Sequence, residues 1–115
     1  MSFHFVLQRS GWGYDDLYEA IKNGEKTSEW RDASPHWILR LFKKGAQSSV
    51  RHRMIHAAGP LLFIHPDDHK HKTARFVVGY TKYPRLLAGV HNIYYHRDTD
   101  QFEIQLKNVV EEVDV

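Results

Sequence analysis

The sequence predicts a single α+β domain over residues 1–115, built as a small β-barrel with two or three short helices. Several short segments alternate apolar and polar side chains in the manner of strands, whereas two segments carry apolar side chains at helical spacing. The chain has 115 residues, enough to bury a core, and no cysteine, which excludes disulfides and thiolate metal sites. Several strands with only two clear helices favour a barrel over a sandwich.

The first half reads as strand, helix, strand, helix. Residues 2–8 alternate as a strand, and a helix beginning near residue 15 stops at Gly24, because glycine tolerates the left-handed conformation after a helix end. Residues 26–32 form the next strand. Ser34 and Pro35 then provide an N-cap and a first helical residue, and Gly45 is expected to end that helix.

The second half is predicted to be mainly strands. Residues 46–49 read as a polar loop, 51–58 fit no single pattern, and 61–64 read as a short buried strand. A turn at 66–68 and a loop to residue 72 precede strands at 74–80, 89–96 and 101–107. Residues 98–100 join the last two strands as a hairpin.

Charge is distributed unevenly, although the net charge is only +2. Residues 33–66 contain no acidic side chain, whereas the residues from Asp98 onward carry six acidic side chains and one lysine. Such asymmetry is typical of a face that binds a polyanion, although a solvated basic surface is the simpler explanation. The basic stretch would supply phosphate contacts from Arg40, Lys43, Lys44, Arg51 and Arg53.

The strongest local pattern is Gly24, Lys26, Glu29 and Arg31. Glu29 and Arg31 are two apart, so a strand places both on one face, and Lys26 lies where the strand begins. Two cations around a carboxylate can hold an anion or a polar base. The alternative is a structural Glu29–Arg31 ion pair, which contributes little if it is exposed.

These four residues resemble the signature of the ASCH domain family, Gly-x-Lys-x-x-Glu-x-Arg, position for position. The resemblance implies a PUA-like β-barrel whose lysine and Glu-x-Arg line a cleft, and a role with RNA or modified nucleosides. The order of strands and helices resembles that of the family over most of the chain. The motif itself is confined to about residues 21–42.

Two functions follow from the resemblance. The first is binding of RNA or of a modified nucleoside or nucleotide. In it, Arg31 and Lys26 bind phosphate or a base carbonyl, Glu29 accepts hydrogen bonds from a base edge, and Thr27 is a further ligand contact. The alternative is a metal-independent hydrolase, an amidohydrolase on a modified pyrimidine nucleoside or a ribonuclease, with Lys26 and Glu29 as catalytic residues. The family's amidohydrolases carry Lys-x-x-Thr-x-Arg, so Glu29 stands where their threonine would be. A protein-interaction module without chemistry is a third possibility.

Aromatic residues add candidates for base stacking. Trp12 lies between two glycines in a predicted loop, and Tyr80 is a further candidate. Trp37, Phe42 and Phe76 are expected in the core. Trp30 lies on the strand face opposite Glu29, which would also place it in the core.

No metal or cofactor is expected. His65, His69 and His71 lie close together with two aspartates, but their spacing matches no tight zinc pattern. No apolar run reaches membrane-spanning length, and the first residues lack the features of a signal peptide. The sequence therefore predicts a cytoplasmic protein without a membrane, as a monomer or weak homodimer.

Overall fold

The computed structural model describes residues 1–7, 13–77 and 85–112, with the backbone alone for residues 13–16. One mixed sheet of six strands curls into a half-barrel beside three short helices, which confirms the α+β class. The sheet order is β1 (Phe3–Val6), β4 (Thr73–Val77), β5 (Arg85–His96), β6 (Gln101–Glu112) and β2 (Ser28–Asp32), and β3 (Leu61–Ile64) pairs with β5. The helices are α1 (Gly13–Lys22), α2 (Pro35–Leu41) and α3 (Gln47–His56).

The antiparallel pair β5–β6 forms the centre of the sheet. Each strand has 12 residues, and Tyr95 lies opposite Phe102. Strands β2, β3 and β4 add antiparallel to this pair, and β1 runs parallel to β4. Because alternate residues of a strand point to opposite faces, Phe102 and Ile104 of β6 are fully buried on the inner face.

Several local sequence predictions are confirmed. Gly24 adopts a φ of 76°, as expected of the glycine that follows α1. Ser34 caps α2 by accepting a hydrogen bond from the Trp37 backbone N–H at 3.4 Å, and Pro35 is the first helical residue. Phe42 and Phe76 are fully buried, and Trp37 packs against the core.

Two predictions between residues 42 and 56 were wrong. Helix α2 ends at Leu41 rather than at Gly45, because the buried Phe42 turns to extended backbone and forms a bridge with His69. The Lys43 N–H then bonds the Asp68 carbonyl at 2.9 Å instead of continuing the helix. Residues 46–49 are not a loop: a 3₁₀ turn at Lys44–Ala46 leads directly into α3.

Polar contacts bind the C-terminal end of helix α3. Val50 is its buried residue. The guanidinium of Arg97 donates to the carbonyls of Met54 at 2.7 Å and Ala57 at 2.6 Å, and thereby satisfies carbonyls that a helix terminus leaves without partners. Within the described ranges, no helix has the length and apolar character needed to cross a membrane.

A matched pair of leucines in α2 tests the position of the core. Leu41 is fully buried and Leu39 is 51% exposed. We expect Leu41→Ala to lower the free energy of unfolding by about 2–5 kcal/mol, because it removes buried methyl groups and leaves a cavity. Leu39→Ala should change it by less than about 0.5 kcal/mol. Urea unfolding of both variants measures the difference, and equal losses would contradict this packing.

Candidate functional site

The segment between α1 and β2 places the motif lysine. The Lys26 N–H bonds the Ala20 carbonyl at 2.9 Å, and the Thr27 carbonyl accepts the Leu106 N–H at 2.8 Å. The segment is therefore tied to α1 on one side and to β6 on the other.

Glu29 and Arg31 lie on the inner face of β2. Glu29 is opposite Ile104 and Arg31 is opposite Phe102 in the β2–β6 register. Glu29 is only 5% exposed, and its carboxylate is paired on both sides. Lys26 Nζ lies 3.3 Å from Oε2, and the Arg31 guanidinium bonds Oε1. The two cations offset the cost of burying this charge.

Arg31 also packs on aromatic rings. Its guanidinium carbon lies 4.8 Å from the ring centre of Phe5 and 5.2 Å from that of Trp37. The guanidinium carbon of Arg40 lies 5.7 Å from the same Trp37 ring. Cation–π contacts at these distances hold Arg31 of β2 and Arg40 of α2 against the Trp37 ring.

The Glu29 carboxylate acts here as an anchor for cations. Its Oε1 accepts from Arg31 and, at 3.3 Å, from the Trp30 N–H, while Oε2 accepts from Lys26. The Glu29 side chain is 7% exposed, whereas Lys26 and Arg31 retain 28% and 22% exposure. A ligand approaching from solvent would therefore meet the cations before the carboxylate.

The prediction that Trp30 lies in the core was wrong. Trp30 is 38% exposed, because the strand alternation that buries Glu29 turns Trp30 to the outer face of the sheet. Alternation separates the two faces of a strand but does not tell which face is buried.

Lys26 and Thr27 border a surface hollow of about 280 Å³, named here the motif hollow. Lys22 and Lys107 also line it, and none of its lining residues within the described part of the chain is acidic. Lys22 pairs with Glu111 at 2.8 Å, and this hydrogen bond and charge raise the pKa of Lys22. Lys26 of the motif therefore shares this hollow with two lysines from outside the motif, Lys22 and Lys107.

Two further hollows are linked to the motif hollow through shared lining residues. The large hollow, of about 840 Å³, shares Lys107 with the motif hollow and adds Lys43, Lys70 and Lys72. The small hollow, of about 200 Å³, shares Lys70 and His71 with the large one and reaches Arg40. The seven cationic side chains of the three hollows, named here the cationic tract, are Lys22, Lys26, Arg40, Lys43, Lys70, Lys72 and Lys107.

The predicted basic residues lie in different places in the structure. Arg40 and Lys43 belong to the cationic tract, whereas Lys44 and Arg51 are exposed and line none of the three hollows. Arg53 pairs with Asp68 at 3.1 Å and ties α3 to the turn at 66–68. Trp12 and Tyr80 lie outside the described residues.

Lys70, Lys72 and Lys107 are members of the tract that the sequence analysis did not single out. Lys70 and Lys72 lie among histidines, and Lys107 lies in the acidic last part of the chain. The pairing of β6 with β5 places Lys107 opposite Gly89. Lys107 thereby lines the same hollow as Lys70 and Lys72 of the loop at 66–72.

The three histidines at positions 65, 69 and 71 make separate contacts. His65 Nδ1 accepts the Asp67 N–H at 3.1 Å, His69 donates its Nε2–H to the Ile64 carbonyl at 3.1 Å, and His71 packs edge-on against Phe3. Burial lowers the pKa of His69 and favours its neutral imidazole. Among the described residues, no group of three or more His, Asp or Glu side chains is arranged to hold a metal ion.

Comparisons with protein-family models, with curated proteins and with solved structures give no match to this chain. The ASCH resemblance therefore rests on Gly24, Lys26, Glu29 and Arg31, and on the order of elements.

Replacing Glu29 by glutamine tests its role as an anchor. We expect Glu29→Gln to lower the free energy of unfolding by about 1–3 kcal/mol, because Lys26 and Arg31 lose a charged partner in a buried position. The matched control is Glu25→Gln, since Glu25 is exposed and one residue from Lys26. Its expected effect is below about 0.5 kcal/mol. Thermal or urea unfolding provides the measurement, and equal stability of the two variants would contradict the anchoring role.

Proposed function

We propose that this protein binds RNA or a related phosphate-bearing nucleotide through the cationic tract, with Lys26 of the motif at one end. The main observation is that three surface hollows share lysines with one another. Among the described residues, seven cationic side chains and one carboxylate, that of Asp67, line them. Phosphates are the common anions that such an extended run of lysines would attract.

Most of the positive charge of the tract is uncompensated. Lys22 and Lys26 pair with carboxylates. Among the described residues, the other five members have no acidic partner within ion-pair distance: Arg40, Lys43, Lys70, Lys72 and Lys107. Asp67 is 88% exposed and lies 3.4 Å from His65. The summed field of these cations would raise the local concentration of a polyanion and speed its association.

The motif contributes orientation as well as charge. Glu29 holds the ammonium of Lys26 at 3.3 Å, so that a long and otherwise mobile side chain is positioned at the border of the motif hollow. Thr27 offers a hydroxyl at the same border. Together they can donate to phosphate oxygens or to a base carbonyl.

The alternative of a metal-independent hydrolase has one favourable observation, namely that Thr27 and Lys26 share a hollow. A general base must reach the proton that it abstracts. Glu29 is 7% exposed at its side chain, and both of its oxygens already accept hydrogen bonds, so it is poorly placed for that step. The geometry therefore favours binding over hydrolysis.

Salt dependence tests the proposal. For a labelled single-stranded RNA, log K should fall linearly with log salt concentration, with a slope of about −0.7 for each phosphate contacted. Replacing Lys70, Lys72 and Lys107 together by alanine should make the slope shallower by about 2, because three phosphate contacts are lost. Fluorescence anisotropy at several salt concentrations measures both slopes.

The matched control replaces Lys44 and Arg51 by alanine, since these exposed cations line none of the three hollows. It should leave the slope unchanged. Absence of RNA binding at low salt, or an equal slope for the wild type and the triple variant, would overturn the proposal.

A further inference from the structure

Four paired strands place a row of side chains across the outer face of the sheet. Trp30 of β2 lies opposite Glu103 of β6, Glu103 lies opposite Tyr94 of β5, and Tyr94 lies opposite Phe63 of β3. His96, two residues further along β5, has its ring centre 4.6 Å from that of Trp30. We name Trp30, Tyr94, Phe63 and His96 the aromatic row.

Trp30 and Phe63 are the exposed members of the row, and Tyr94 and His96 are half-buried. Trp30 is 38% exposed and Phe63 is 44% exposed, and the rings of Phe63 and Tyr94 lie 5.6 Å apart. Leu61, opposite His96, is 48% exposed and extends the same surface. Aromatic rings grouped on a solvated sheet face, rather than scattered singly, indicate a surface that binds something.

A fixed carboxylate lies in the middle of the row. Glu103 accepts hydrogen bonds from Ser28 Oγ at 2.6 Å and from His96 Nε2 at 2.8 Å. Burial raises the pKa of Glu103, but hydrogen bonds from Ser28, His96 and Gln105 and the charge of His96 together outweigh it, so that the pKa is lowered from its ordinary value. Glu103 is therefore an ionised acceptor held between two aromatic side chains.

This charge determines what kind of partner fits the row. The fully buried centres of protein interfaces are depleted in charged residues, and burying an ionised carboxylate there without a cationic partner is costly. A nucleobase instead presents a flat apolar face to the rings and N–H groups at its edge for the carboxylate. The row thus suits bases better than a second copy of this chain.

The same face leads to the cationic tract. Glu103 and Lys107 both point outward from β6, four residues or about 14 Å apart. The stem of Lys107 lies across Gly89, where an added Cβ would come within 3.0 Å of Lys107 Cγ. Because Gly89 has no side chain, Lys107 can lie flat on β5 and reach both the motif hollow and the large hollow.

We propose that the aromatic row stacks the bases of a single-stranded nucleic acid whose phosphates lie along the cationic tract. This rests on the proposed function and narrows its ligand to a polymer with unpaired bases. Phosphates lie toward Lys107, away from the acidic Glu103, and bases lie over the rings. A duplex, whose bases are stacked internally, cannot use the row.

Three probes test the inference: a short single-stranded RNA, its duplex, and an abasic strand of equal length. The wild type should bind the RNA about tenfold or more tightly than the abasic strand, because stacking adds affinity for each base engaged. Trp30→Leu or Tyr94→Leu should remove about tenfold of the affinity for RNA and leave that for the abasic strand unchanged. Leucine keeps apolar bulk, and Ile55→Ala is the control on an exposed helical side chain.

The outcomes separate the two proposals. Equal binding of RNA and abasic strand, or full RNA affinity in both row variants, overturns the stacking role and leaves the phosphate-binding function intact. Absence of binding to either strand overturns the proposed function itself. A dimer in sedimentation equilibrium that Trp30→Leu dissociates would show that a second copy covers the row, and would also overturn the inference.

Discussion

The antiparallel register of β2, β6 and β5 determines which chemical groups this protein buries and which it displays. In that register Glu29 is opposite Ile104, and Trp30 is opposite Glu103. A slip of one residue would turn every side chain of β2 to the other face, exposing Glu29 and burying Trp30. The buried ion cluster around Glu29 and the outer aromatic row are therefore two consequences of the same pairing.

The buried ion cluster around Glu29 stabilises the observed register of β2 against β6 relative to a shifted register. Glu29 is tolerated at 5% exposure because Lys26 and Arg31 reach it from both sides, and Arg31 is in turn packed on Phe5 and Trp37. A one-residue slip would carry Glu29 and Arg31 together to the outer face, so the pair would lose its buried position and Arg31 would lose its packing on the rings of Phe5 and Trp37. The motif thus supports the fold while it positions one cation at the surface, so its structural role is compatible with the proposed binding role.

The sequence correctly predicted features that depend on neighbouring residues alone, namely helix ends and strand alternation. Gly24 and Ser34 define helix ends through backbone conformation and capping, and the alternation in residues 101–107 identified the core of β6. The alternation could not tell that Trp30 faces outward, because a carboxylate at the neighbouring position is usually the exposed one. The burial of Glu29 depends on two cations, Lys26 from the segment before β2 and Arg31 from the same face of β2.

Elements that are stabilised by contacts between residues far apart in the chain could not be predicted from the sequence. Helix α3 carries little apolar periodicity, and its carbonyls are bound by Arg97 from the end of β5. The cationic tract likewise combines the loop at 66–72 with Lys107, which lies in an acidic part of the chain. Gly89, opposite Lys107, explains how that lysine fits, yet nothing in either segment alone indicates the other.

The most direct test is nuclear magnetic resonance of the isotopically labelled protein titrated with a short single-stranded RNA. The account predicts that side-chain and backbone signals of Trp30, Tyr94 and Lys107 shift together, while those of Ile55 on α3 stay in place. Shifts confined to α3, or no shift on the outer face of β5 and β6, would contradict it.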